Sequence, residues 1–322
     1  MPRTRTFFLR RARYAVAGAA VAVVALTAGS AQAAAPTGHG TAVVRTGPAG
    51  ETQKRIASVS THAVAVTPGN ALFAISPDRQ GVYQWTGNGD SWIRVGGPAA
   101  KIYAGGAGLF ATDPVDGRLL RYDGTPGHWS AIGGPGADYA VAGDTVYAIS
   151  PDHRAVYRWN GSGSSWTWVG GAAGRIYAGG AGVFATDPTD GQIYTYTGTP
   201  GNWALIGGVG SDFAVTDDAV YGSSADGTGT YRWSGSGTVW THVGGVAANL
   251  YGGGAGLFAT NPYDGRAFRY NGTPGTWTEI GGAGSDFAVG GASVFSVSPD
   301  RSAIYRWAGI GTSWTRVGGP VA

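Results

Sequence analysis

The sequence predicts an all-β fold, a seven-bladed β-propeller built from 37-residue, four-stranded repeats. Three observations carry that prediction. Tryptophan recurs at Trp92, Trp129, Trp166, Trp203, Trp240, Trp277 and Trp314, each 37 residues after the one before. A period between about 20 and 50 residues marks a solenoid, a propeller or an array. Each period also holds four β-like runs; in the second they are 101–104, 109–112, 118–122 and 128–132, separated by GGAG, DPVDG and DGTPG. Alternating β-branched and aromatic residues between Gly, Pro, Asn and Asp clusters are the sequence form of strands joined by tight turns. Finally, the 59 glycines have no collagen-like triplet period and fall at fixed places in the repeat. They therefore read as turns and crowded inner strands.

Taken in order, residues 1–33 form a secretory signal. Arg3, Arg5, Arg10, Arg11 and Arg13 make a positive n-region, Ala15 to Ala28 an apolar h-region, and Ala31-Gln32-Ala33 a cleavage site. The apolar run is short for a spanning helix. Arg10-Arg11 admits twin-arginine export, but the residues after it fit that signal loosely, so general secretion is the reading. Removing the segment changes the charge: the chain carries +3, those five arginines are the segment's only formally charged groups, and the remainder is 3 − 5 = −2. No basic stripe is left for a nucleic acid. Cysteine is absent, so stability has to come from packing and ring closure.

Residues 34–61 are a polar leader in which Val43-Val44-Arg45 and Ile56 weakly echo Leu119-Leu120-Arg121 and Ile132. The segment reads either as an edge strand that clasps the ring or as a flexible lead-in. From 62 to 322 seven repeats of two kinds alternate. The odd kind carries DYAV, an SPD turn, YRW and NGSG, as in 138–171; the even kind carries IYAGGAG, FATDP and GTPG, as in 175–208. An odd number of alternating repeats must bring two of one kind together once, at a seam between the first and the last. That junction is expected to differ from the others.

The stretch VYRWNGSGSSWTWVGG, Val156 to Gly171, contains the motif set. With Val146-Tyr147-Ala148-Ile149, Tyr157-Arg158-Trp159 and Trp166 to Gly171, and their parallels in the other repeats, it resembles the tectonin type of tachylectin-1-like propeller lectins over about 63–322. The resemblance implies a closed propeller that binds glycans, microbial surface saccharides included, through several shallow sites. Tectonin propellers are often six-bladed, and seven repeats here depart from that pattern.

Catalysis finds little support. Glutamate occurs only at Glu51 and Glu279, and His39, His62, His128, His153 and His242 occupy non-equivalent repeat positions. SPDRQGVYQW, from Ser76 to Trp85, has the residue types of a sialidase Asp-box but the wrong spacing. The pairs Asp113/Asp116, Asp187/Asp190 and Asn261/Asp264 offer oxygen ligands to calcium, yet D-P-x-D-G is first a turn sequence. The reading takes no metal and no cofactor.

Two aromatic rungs remain. The 37-spaced tryptophans stand in every repeat and are assigned to packing. In the second rung Trp85, Trp159, Trp233 and Trp307 alternate with Tyr122, Tyr196 and Tyr270, next to a Gly/Ser/Asn turn at a rim. A flat ring there can stack on a sugar while neighbouring polar groups bond its hydroxyls. The glycan-binding candidates are Trp85, Arg158, Trp159, Arg232, Trp233, Arg306 and Trp307; for the arginines the alternative is an ion pair with an aspartate such as Asp152. The expected protein is a secreted, monomeric, multivalent binder of extracellular glycans with no catalysis. A protein-interaction propeller and, further off, a glycan hydrolase or lyase stay open.

Overall fold

The computed structural model describes residues 62–319; the signal and leader readings for 1–33 and 34–61 lie outside the described residues. All regular elements among the described residues are strands, and within each sheet chain-consecutive strands pair antiparallel. Lys101–Gly105, Gly108–Thr112, Arg118–Tyr122 and Trp129–Pro135 make one such four-stranded sheet, as the second repeat predicts. The strands total six sheets, five of four strands and one of seven. The seven-stranded sheet arises because Trp203–Val215 runs 13 residues unbroken, ending one repeat and beginning the next. Val209 stands at its middle, where the equivalent links carry Pro135 and Ala283. The equivalent strands end at Pro135 and Ala283, whereas at Val209 the chain stays extended into the next repeat.

The inner strand of each repeat touches the inner strand of the next, and the last, Asp286–Val289, touches the first, Val64–Val66. The array is therefore closed, which removes its two free ends.

The 37-spaced tryptophans hold neighbouring repeats together. Each indole N–H donates to a backbone carbonyl 34 residues earlier, as in Trp129 to Val95 (2.7 Å), Trp203 to Val169 (2.8 Å) and Trp240 to Ile206 (2.6 Å). At the seam Trp92 donates to Val317 at 2.7 Å, so closure uses the same bond. The ring lies on the first glycine of V-G-G in the preceding repeat: a Cβ at Gly170 would sit 2.5 Å from Trp203 Nε1. That contact explains a glycine at this place in every repeat. Between the sheets Phe110, Phe184, Phe258 and Phe295 are fully buried. As expected from their sequence, the D-P-x-D-G segments are turns: Asp113 Oδ1 accepts the Val115 N–H at 2.8 Å, and Gly117 takes φ 73°.

Candidate functional site

The second rung lies at the junctions. In each odd repeat the indole N–H is used by its own turn: Trp85 donates to Gly89 O (2.8 Å), and Trp159, Trp233 and Trp307 donate to Gly163, Gly237 and Gly311 O (2.9 Å). The ring meets, edge to face, a buried phenylalanine of the preceding repeat. The pairs are Phe110–Trp159, Phe184–Trp233 and Phe258–Trp307, with centroids 6.0–6.2 Å apart. The seam follows this pattern although both repeats there are odd, because residue 295 is Phe: Phe295 meets Trp85 at 5.9 Å. At odd-to-even junctions the pair is Phe73–Tyr122, Tyr147–Tyr196 or Tyr221–Tyr270.

What covers the ring differs between junctions. The Arg121 guanidinium lies 5.5 Å over Trp159, which is only 3% exposed. Arg269 lies 5.9 Å over Trp307. At the corresponding place before Trp233 the chain has Thr195. At the seam the arginine is Arg306, and it donates to Ser293 Oγ at 3.3 Å. Ser293 replaces the glycine that even repeats carry two residues before their phenylalanine, at Gly108, Gly182 and Gly256. With no side chain there, nothing on the second strand draws Arg121 or Arg269 away from the indole.

A groove of about 380 Å³ opens at this seam, lined by Trp85, Gly87 and Gly89 of the first repeat and by Arg306, Trp307, Thr315 and Arg316 of the last. Arg306 pairs across the strands with Thr315 and so shares its face; Arg316 pairs with Tyr305 on the other face. Arg316 reaches round the sheet edge to form an ion pair with Asp90 in the first repeat. A second cavity of about 210 Å³, lined by Ile75, Ser76, Tyr83, Trp92 and Ile304 among others, lies at the same seam.

Of the seven candidate residues, the structure gathers Trp85, Arg306 and Trp307 around one groove. Trp307 borders it with its ring turned to Phe258 of the sixth repeat. Arg158, Trp159, Arg232 and Trp233 sit at other junctions. Arg158 is exposed, and Arg232 pairs with Asp218 at 3.4 Å within its own repeat. Asp152 engages Ser150 Oγ (2.6 Å) and Arg154 (3.7 Å), so the ion pair expected for it with the strand arginine is not formed. Asp90, Thr315 and Arg316 were not legible as site residues; their one signal was the seam itself.

A second set of groups escaped the sequence reading. Asp138, Asp212 and Asp286 recur at 74-residue intervals in the odd repeats; the first and last open their inner strands, and Asp212 lies within the long strand Trp203–Val215. Asp138 Oδ2 accepts the Ile176 N–H (3.1 Å) and Asp212 Oδ2 the Leu250 N–H (2.8 Å), each tying an odd repeat to the next even one. Burial raises the Asp138 carboxyl above its ordinary value and pushes Asp212 up to about 6, against the lowering effect of those N–H bonds. Among the described residues no three His, Asp or Glu side chains gather as a metal site.

No family model and no curated protein matches the sequence. Solved structures do resemble the fold. PorZ, a bacterial surface component of the type-IX secretion system of Porphyromonas gingivalis, superposes with a TM-score of 0.57 at 11% identity, over 84% of this chain and 39% of that one. The CRINKLY WD40 ectodomain of the Arabidopsis thaliana receptor kinase ACR4 gives 0.54 at 15% identity, over 82% of this chain and 98% of that one. The Neurospora crassa Pan2 WD40 domain gives 0.47 at 9% identity, over 77% of this chain and 85% of that one. The first two make the chain a β-propeller by fold. The chain spans about two fifths of the PorZ chain.

Proposed function

We propose that this chain is a secreted, non-catalytic, carbohydrate-binding propeller of the tectonin type, with seven blades, two of which share the long strand Trp203–Val215. One observation carries the binding reading: at the seam an indole ring, Trp85, stands beside two guanidiniums and the Thr315 hydroxyl in a groove of about 380 Å³. That combination suits a pyranose, whose apolar face stacks on a ring while its hydroxyls bond the polar rim. Trp233, half-buried and without an arginine at the covering position, supplies a second and shallower contact; several weak sites on one rigid ring gain by avidity. Trp159 is covered and contributes to packing instead.

A protein-binding reading draws on a different surface. Trp168, Leu205 and Val209 on neighbouring outer strands are 43%, 41% and 57% exposed, and the outer-strand position of Trp168 and Leu205 is Arg94, Ala131, His242, Glu279 or Arg316 in the other repeats. An apolar rim of this kind fits a partner protein.

Glycan-array binding by residues 34–322 separates the two readings. Binding that Trp85→Ala weakens tenfold or more, and that Trp168→Ser leaves intact, is the expected result. Absence of binding to every bacterial, fungal and plant glycan would sink the carbohydrate reading.

A further inference from the structure

We infer that the seam groove selects an anionic saccharide, one bearing a carboxylate or a sulfate on the ring that stacks against Trp85; the inference rests on the carbohydrate reading of the same groove. The seam concentrates positive charge in a way the other junctions do not. Arg306 and Arg316 both line the groove, and Asp90 is the carboxylate that faces them, through its ion pair with Arg316. At the outer-strand position of Arg316 the preceding repeats with a covering arginine carry Ala131 and Glu279. Two places after the covering arginine they carry Asp123 and Asn271, where the seam has Ala308. The sixth-to-seventh junction thus has an acid, Glu279, where the seam has a cation, and the second-to-third junction has Asp123 where the seam has an apolar residue.

Arg306 is bound only to a neutral hydroxyl, Ser293 Oγ at 3.3 Å, and its side chain is exposed. A guanidinium in that state presents remaining N–H donors in a planar fork that matches a carboxylate or sulfate in two-point geometry. Arg316 is different, because Asp90 already occupies it. An incoming anion competes with Asp90 for that guanidinium, so Asp90 acts as an internal substitute for the ligand's charge. Both partners of the pair are about half exposed, at 48% and 49%, which makes the exchange inexpensive. The charge of the groove is therefore +1 with Asp90 in place, on a chain whose residues 34–322 sum to −2.

The test uses residues 34–322 and titration calorimetry with oligosaccharides of galacturonate, glucuronate and mannuronate, their methyl esters, and a sulfated oligosaccharide. At least one acid binds about tenfold more tightly than its own ester, with affinity falling as salt rises. Arg306→Gln removes most of that difference, lowering affinity for the acid by more than it lowers affinity for the ester. Asp90→Asn raises affinity for the acid by about threefold to tenfold, because Arg316 becomes available, an outcome that loss of a merely structural contact does not produce. Preference for the sulfated probe over the uronates assigns the anion as sulfate and upholds the inference. Equal binding of acid and ester, or an Asp90→Asn variant no tighter than the parent, overturns the anion selectivity while the carbohydrate reading survives on the esters. Binding of none of the probes, with none on the array, overturns both.

Discussion

The junction between the second and third repeats and the junction between the last and the first are built from the same parts. Each has a buried phenylalanine, a tryptophan bonded to its own turn, and an arginine on the preceding third strand. One is closed and the other open. Arg121 lies over Trp159 and leaves it 3% exposed, whereas Arg306 is held by Ser293 and a groove borders Trp85. The difference lies on the second strand of the preceding repeat: two places before the phenylalanine that pairs with the arginine, the second repeat has Gly108 and the last has Ser293. The seam is distinct because two odd repeats meet there and because the last of them carries Ser293 where the other odd repeats have Ala71, Thr145 and Ala219.

The largest expected effect tests what the two junctions share. Trp203→Ala removes a nearly buried ring and its 2.8 Å bond to Val169, and Trp92→Ala removes the corresponding 2.7 Å bond at closure. Deletion of a buried aromatic costs about 3–5 kcal/mol. Denaturant melts of both variants should show losses in that range, somewhat smaller for the half-buried Trp92. A Trp92 variant as stable as the parent would mean that the ring does not depend on its closing bond.

An intermediate effect compares the odd repeats through their inner strands. Asp212 ties its repeat to Leu250 through a carboxylate, while in the first repeat the His62 carbonyl accepts the equivalent Ile102 N–H at 2.9 Å. Burial pushes Asp212 in the folded chain up to about 6, above the ordinary aspartate value of 3.8, so the folded chain binds more protons than the unfolded one between those limits. Stability from this group is fully present below about 4 and declines as pH rises through about 6. The melting temperature should therefore rise on acidification from pH 7 towards 5. Asp212→Asn should flatten that rise in part, leaving the share due to Asp138, which burial also raises. The exposed SPD-turn aspartates act in the opposite sense at lower pH: Asp300, lowered to about 2 by Ser298 and Ser302, stabilises until the pH approaches that value. A melting temperature that falls steadily from pH 7 to 5 would contradict the assignment.

Architecture was readable because a 37-residue period writes the same constraint seven times. The division of labour between the rungs was readable in part: Trp166 and its equivalents do bond the preceding repeat, as a residue present in every repeat should. The second rung was less so. Nothing local distinguishes Trp159 from Trp85, since both precede a Gly-rich turn and both follow a similar strand. Their difference lies in a residue of another repeat, Gly108 or Ser293, and a sequence read one repeat at a time does not pair these positions. The fusion of two sheets at Val209 was not legible, because that link reads as the same Gly-rich turn as its equivalents at Pro135 and Ala283. Asp138 and Asp212 were visible as a 74-residue recurrence, but their partners, Ile176 and Leu250, are 38 residues away in the next repeat.

The smallest effect bears most directly on the comparison. Ser293→Gly restores at the seam the residue that even repeats use, and Arg306 then loses its 3.3 Å bond to the hydroxyl. The guanidinium should settle over Trp85 as Arg121 does over Trp159, a cation–π contact of about 0.5–1 kcal/mol at an exposed site. A ligand then has to displace the arginine before it reaches the ring, so affinity for the groove should fall about threefold, with little change in the melting temperature. Ser293→Ala sharpens the result, since it removes the hydroxyl but keeps the Cβ: if the bond is what holds the groove open, alanine and glycine behave alike. The reverse exchange is a poor test, because Gly108 has φ 104° and a serine there is strained whatever it touches. Unaltered affinity in both Ser293 variants would show that the width of the seam, set by two odd sheets meeting, opens the groove, and that the position of Arg306 follows from it.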